Sequence, residues 1–280
     1  MTHSTTVLVP RAPRTSDGEA LALQLGALGR RLRACGARLV HLPPPHGRPF
    51  LRERLLPWRS ASGPRALVFC QDTEDAPVAL WHGLASHGFL VTRAPASLAP
   101  GDVVRLGDVL LVAHRDAPRG RRFCRALARA TRLRVEEVQL DPSFPSLESA
   151  VAALPDGALV FAPNAFTPLG RFQLRQLFPR QRHLLVPHGE ALAGGLRWTM
   201  VGQCCVMAQG TPTIMALVRQ RGFEPVVVDA HRVQRFGRGV ACVAQAVTSA
   251  TPLPREAAAP TFAEIELEVD EQTVAYAMAG

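Results

Sequence analysis

Gly222-Phe223-Glu224-Pro225-Val226-Val227-Val228-Asp229, followed after a short spacer by Gly237-Arg238-Gly239-Val240-Ala241-Cys242-Val243-Ala244-Gln245, is the stretch from which the rest of the chain can be read. Gly222 stops a helix expected over 212–221, and 225–229 reads as the strand that follows it. Gly237-Arg238-Gly239 lacks the third glycine of a dinucleotide-binding loop and does not lie between a strand and a helix, so it is not such a loop. What remains is a glycine-flanked turn that delivers Cys242 into a run of small apolar residues.

Working outward, the same rhythm recurs. Residues 7–9 read as a short strand, 20–34 as an amphipathic helix carrying Leu21, Leu23, Leu25, Leu28 and Leu32 at imperfect spacing, and 38–42 as a strand closed by Pro43, Pro44 and Pro45, which cannot extend a ladder. Strand, helix and strand follow at 65–69, 76–87 and 89–92. Two strands, a helix and a strand follow at 103–104, 109–113, 119–130 and 134–138. Then come 159–162, 169–178 and 184–186, and strands at 198–201 and 204–207 lead into the helix at 212–221. Alternation at this density predicts an α/β protein. About five units of roughly 45 residues predict a repeat with pseudo-symmetric closure.

Composition bounds the function classes. The chain has 280 residues, 47% of them apolar, enough for one large domain or two small ones and too many for a disordered chain. Its 32 basic residues are all arginine, and the formal charge is +9. The apolar stretch 103–113 is interrupted by Arg105 and Asp108 and falls short of the roughly 20 residues a spanning helix needs. The first ten residues lack a basic start and a long apolar core, so no secretory signal is expected and a cytoplasmic location is. Six cysteines without a C-x-x-C argue against a disulfide scaffold and a zinc finger. From Arg255 onward one arginine faces six acids, a charge of −5, whereas 31 arginines against 17 acids leave the preceding body at +14. The run Glu264-Ile265-Glu266-Leu267-Glu268-Val269-Asp270 alternates acid and apolar residues, the pattern of a strand with all its acids on one face. The basic helix with Arg119, Arg121, Arg122, Arg125 and Arg129 interleaves a single aromatic, Phe123, too few for stacking on successive bases; it reads as a solvated face or a docking site for the acidic tail, and a nucleic-acid binder is the remote alternative.

The quoted C-terminal stretch resembles the signature of the pentein superfamily, the guanidine-modifying group that includes dimethylarginine dimethylaminohydrolase, arginine and agmatine deiminases and glycine amidinotransferase. Thr211-Pro212-Thr213-Ile214-Met215-Ala216-Leu217 is similar to the last helix of the dimethylargininase-like branch, Pro100-Gly101-Asp102-Val103 to its Gly-Gly-Asp strand, and His114-Arg115-Asp116 to its arginine before the third helix. The resemblance implies an α/β propeller of about five ββαβ-type units with pseudo-fivefold symmetry. The expected organisation is a pentein-like domain over 1–247, a linker over 248–262 and an acidic tail over 263–280.

The same resemblance implies a chemistry. A thiolate attacks the guanidinium carbon, an amine leaves, and water or an acceptor amine resolves the thiouronium intermediate. Cys242 stands in the nucleophile position, and Asp102, Arg115 and Glu53 are the substrate-binding candidates. A histidine should protonate the leaving amine, but its position falls on Ser146 in Pro145-Ser146-Leu147-Glu148-Ser149. His231, eleven residues before Cys242, is the candidate substitute. The family's acidic pair falls in Arg48-Pro49-Phe50-Leu51-Arg52-Glu53-Arg54, where cations would repel a guanidinium and favour an anion. The expectation is therefore a catalytically degenerate pentein that keeps Cys242 and binds an arginine-like or other small ligand, or a protein partner. The alternative is an active Cys-dependent amidinohydrolase or amidinotransferase. No cofactor, metal or membrane is expected, and homo- or hetero-oligomerisation is expected to run through 263–280.

Overall fold

The computed structural model describes residues 5–11, 18–44, 50–69, 78–95, 97–179, 183–234 and 239–248. The linker and acidic tail expected beyond Thr248 lie outside the described residues.

Five three-stranded sheets succeed one another along the chain. The second unit shows the plan most plainly: β3 (Leu55–Ser60) pairs antiparallel with β4 (Gly63–Val68), α2 (Val78–Ser86) crosses over, and β5 (Leu90–Arg93) returns parallel to β4. The third repeats it with β6 (Val103–Leu106), β7 (Val109–His114), α3 (Arg121–Thr131) and β8 (Arg134–Gln139). The short α4 (Leu147–Ala150) runs directly into β9 (Val151–Ala153), which opens the fourth unit with β10 (Leu159–Phe161), α5 (Pro168–Leu177) and β11 (His183–Leu185). After α6 (His188–Leu192) the fifth has β12 (Thr199–Val201), β13 (Cys204–Ala208), α7 (Pro212–Gln220) and β14 (Glu224–Val228).

The first unit is assembled from both ends of the described chain. β1 (Thr6–Pro10), α1 (Gly18–Ala34) and β2 (Arg38–Leu42) form the βαβ part. Past α8 (His231–Gln234) and α9 (Val240–Val243), β15 (Gln245–Ala246) supplies the missing antiparallel strand, with Val7 opposite Ala246 and Leu8 opposite Gln245. Five ββαβ units therefore exist, one of them circularly completed, as the resemblance implied.

Physical reasons for these elements are local. β7 is apolar up to Ala113 and buried at every position, as a central strand covered on both faces must be. In α3 only Leu127 and Thr131 are buried while Arg121, Arg122, Arg125 and Arg129 stay out, an apolar stripe against a basic face. Helices bridge units: α1 rests on β2 and β14, α2 on β5 and β2, and α5 on β8. At the last of these a Cβ on Gly170 would collide with the Gln139 carbonyl oxygen, so only glycine permits the approach. Cys204 and Cys205 point to opposite faces of β13, one half-buried and one fully buried. No helix of the described residues is long and apolar enough to cross a membrane.

Candidate active site

Cys242 sits on α9, one turn long, with the cysteine 1% exposed among Val7, Val206, Val240 and Val243. Its backbone N–H donates to the Gly239 carbonyl at 3.0 Å, and Ala241 N–H donates to the Arg197 carbonyl at 2.8 Å. Gly239 makes this packing feasible. A Cβ there would lie 2.5 Å from Arg197 Cβ and 2.8 Å from the Gly194 carbonyl oxygen, so the requirement is for close approach, since its φ of −121° is open to any residue. Behind α9, Thr199 Oγ1 donates to the Ala244 carbonyl at 2.6 Å.

Held against that helix is a buried charge cluster. Arg197, 6% exposed, directs Nη2 to Glu148 Oε1 at 3.1 Å and to Ser146 Oγ at 2.9 Å, and also donates to Ser149 Oγ. Arg52, also 6% exposed, sits in the 3-10 turn Leu51–Glu53, with Nε 3.3 Å from the other oxygen of Glu148 and Nη2 donating to the Val103 carbonyl. Burial pushes the Arg52 guanidinium below its ordinary pKa, an effect opposed by Glu148 and by the Cys242 sulfur and reinforced by Arg197. Cys242 thus lies within the electrostatic reach of Arg52. Two cations share one carboxylate in this cluster, and Arg52 Nη1 is buried with no hydrogen-bond partner among the described residues.

Ser146 precedes α4 and is 8% exposed, its hydroxyl 2.8 Å from Ser149 Oγ. Asp102 closes the 3-10 turn Pro100–Asp102 and is gripped by Arg115 Nη1 at 3.0 and 3.1 Å; Arg115 Nη2 donates to the Pro145 carbonyl at 3.1 Å. The Asp102–Arg115 pair therefore braces the loop that leads into Ser146. Next in the chain, His114 is buried, and neither of its ring nitrogens has a hydrogen-bond partner among the described residues. Glu53 follows Arg52 in its turn and is half-buried.

His231 stands elsewhere. On α8, at the surface, its Nδ1 meets Asp229 Oδ1 at 2.7 Å, and Gln24 Nε2 on α1 reaches both at 3.3 Å. Hydrogen bonds from His231 hold the Asp229 carboxyl below its usual range. Of the sequence candidates, Ser146 is tied to Arg197 in the charge cluster and Asp102 to Arg115, which also holds the Pro145 carbonyl. Sequence reasoning did not single out Arg197 or Glu148, although the Gly194-Gly195 pair before Arg197 marks a close backbone approach. Among the described residues no group of three or more His, Cys, Asp or Glu is placed to hold a metal ion.

No family model matches the chain. A dimethylarginine dimethylaminohydrolase of Mycobacterium tuberculosis (strain ATCC 25618 / H37Rv) is 29% identical over 153 residues, 54% of this chain and 50% of that one. The enzyme of the same name from Streptomyces coelicolor (strain ATCC BAA-471 / A3(2) / M145) is 32% identical over 155 residues, 53% of this chain and 54% of that one. In these matches the chain spans about half the length of the curated relatives. Among solved structures, the N-terminal domain of ArgZ bound to product, an arginine dihydrolase from the ornithine-ammonia cycle in cyanobacteria, superposes with a TM-score of 0.72 at 16% identity, covering 89% of this chain and 100% of that one. A dimethylarginine dimethylaminohydrolase adduct with 4-chloro-2-hydroxymethylpyridine gives 0.66 at 17%, covering 87% and 100%. At such identities the likeness is one of fold.

Proposed function

We propose that this chain, which has the pentein fold and resembles dimethylarginine dimethylaminohydrolases over about half its length, is a pentein whose central site no longer turns over guanidines and binds a small anion instead. One observation carries the reading: the buried carboxylate of Glu148 is already clasped by two of the chain's own guanidinium groups, Arg52 and Arg197, beside Cys242. Guanidine chemistry needs carboxylates that are open to fork a substrate cation and a base within hydrogen-bond reach of the leaving amine. A further cation entering beside two guanidinium groups that share the Glu148 carboxylate is repelled by both, most strongly where the local dielectric is low. An anion is drawn by the same pair and meets Arg52 Nη1, which is buried without a hydrogen-bond partner among the described residues. Ser146, in the position where the family has its histidine, is engaged by Arg197 and Ser149, and a serine hydroxyl does not shuttle a proton near neutrality.

The test has two arms. Purified protein incubated with L-arginine, dimethylarginine or agmatine is expected to form no more product than Cys242→Ala does. Millimolar inorganic phosphate or acetate is expected to raise the melting temperature by about 5 °C at a concentration near 100 Kd, and to lose that effect in Arg52→Met. A second reading, an active amidinohydrolase or amidinotransferase, is favoured by Cys242 being presented on α9 at the cluster. Product release that vanishes in Cys242→Ala would establish it and overturn the first.

A further inference from the structure

Where the fifth unit meets the first, α1 and β14 enclose a cleft of about 700 Å³ that the central site does not use. Its lining includes the apolar Leu23, Ala27 and Val227, the cations Arg30 and Arg31, and Asp229 paired with His231. Leu23 is 72% exposed and Val227 39%, and both belong to this one cleft. β14 is an end strand of its sheet, with only β13 beside it among the described residues. Apolar groups open to water beside an edge strand ask for a cover.

We infer that the chain's own acidic segment, residues 264–270, seats in this cleft beside β14, with Ile265, Leu267 and Val269 on Leu23, Ala27 and Val227 and its acids toward Arg30 and Arg31. Three arguments favour that occupant. Its alternation matches a lining of apolar groups beside two arginines, in which the one carboxylate, Asp229, is already engaged by His231, since a strand offers apolar groups to one side and carboxylates to the other. Its length fits: seven residues of strand span about 23 Å, and the 17-residue α1 runs about 25 Å. The chain also reaches. Thr248 is anchored by the Arg59 N–H at 2.9 Å and by the Arg105 side chain, and the residues between it and 264 extend to as much as about 50 Å. The rival surface, the basic face of α3, draws acids equally well but leaves Ile265, Leu267 and Val269 in water, because its apolar stripe is buried.

Hydrogen–deuterium exchange on the full chain tests this. Amides of 264–270 are expected to exchange at least tenfold more slowly than in a variant carrying Ile265→Asp, Leu267→Asp and Val269→Asp, with slower exchange at β14 as well. Leu23→Asp, at a position too exposed to disturb the core, is expected to abolish the protection, and raised salt to weaken it. Light scattering must show a monomer under the same conditions. Absence of protection overturns the proposal, as does protection that appears only in a concentration-dependent dimer, which would place the segment on a second copy. Protection that survives Leu23→Asp but falls with Arg121→Glu and Arg125→Glu also overturns it, in favour of α3. None of these outcomes depends on what the central site binds.

Discussion

Glu148→Gln is expected to lower the melting temperature by about 10 °C. The change removes one negative charge and little volume, yet takes from Arg52 and Arg197 the buried carboxylate they share. Breaking a buried ion pair by removing one partner costs about 3–5 kcal/mol, and each kcal/mol moves the transition of a domain this large by roughly 2–4 °C. Thermal unfolding followed by circular dichroism reads it directly. The control is Arg52→Met: combined with Glu148→Gln it should cost less than the sum of the two single changes, because the partner that Glu148 neutralised is gone. Additive costs would show that Glu148 and Arg52 do not act as a unit, and the self-occupied site proposed above would lose its basis.

Gly239→Ala is expected to cost about 3 kcal/mol and to expose Cys242. The added Cβ meets Arg197 Cβ at 2.5 Å and two carbonyl oxygens at 2.8 and 3.0 Å, none of which is the tip of a flexible side chain, so α9 or the Arg197 segment must move. Either movement breaks the Ala241–Arg197 backbone hydrogen bond and loosens the Arg197 grip on Glu148. Cys242 alkylation by iodoacetamide in the native state should accelerate at least tenfold. Gly101→Ala is the milder comparison, because its Cβ meets the Ser146 side chain, Cβ at 3.1 Å and Oγ at 3.9 Å. Equal alkylation rates in the wild type and Gly239→Ala would mean that the turn does not control access to the thiol.

Much of the α/β rhythm was legible because periodicity and stop signals coincide. Residues 38–42 read as a strand and β2 spans Arg38–Leu42; the helix expected at 212–221 is α7, Pro212–Gln220. What escaped did so for identifiable reasons. β3 contains Pro57, which argues against a strand, but β3 pairs only with β4 and as an edge strand tolerates the missing donor. β9 is hidden because α4 passes into it without a break, and β15 has two residues and no periodicity to display. The site was legible only in part. Arg52 was flagged as a cation where acids were expected, but its convergence with Glu148 and Arg197, about 100 and 150 positions away, is a product of closure that no local pattern announces.

The pairing of β15 with β1 imposes an order on events as the chain is made. β1 emerges before every other described strand, and the strand that completes its sheet is separated from it by more than two hundred residues. Until synthesis has passed Ala246, an all-but-buried strand has one edge open, and contacts this distant in sequence form late because a long loop must first be closed. Units two to five, whose strands are neighbours in sequence, can fold in turn as they emerge. Until β15 arrives the five units form an unclosed ring, with one edge of β1 bare to wrong partners.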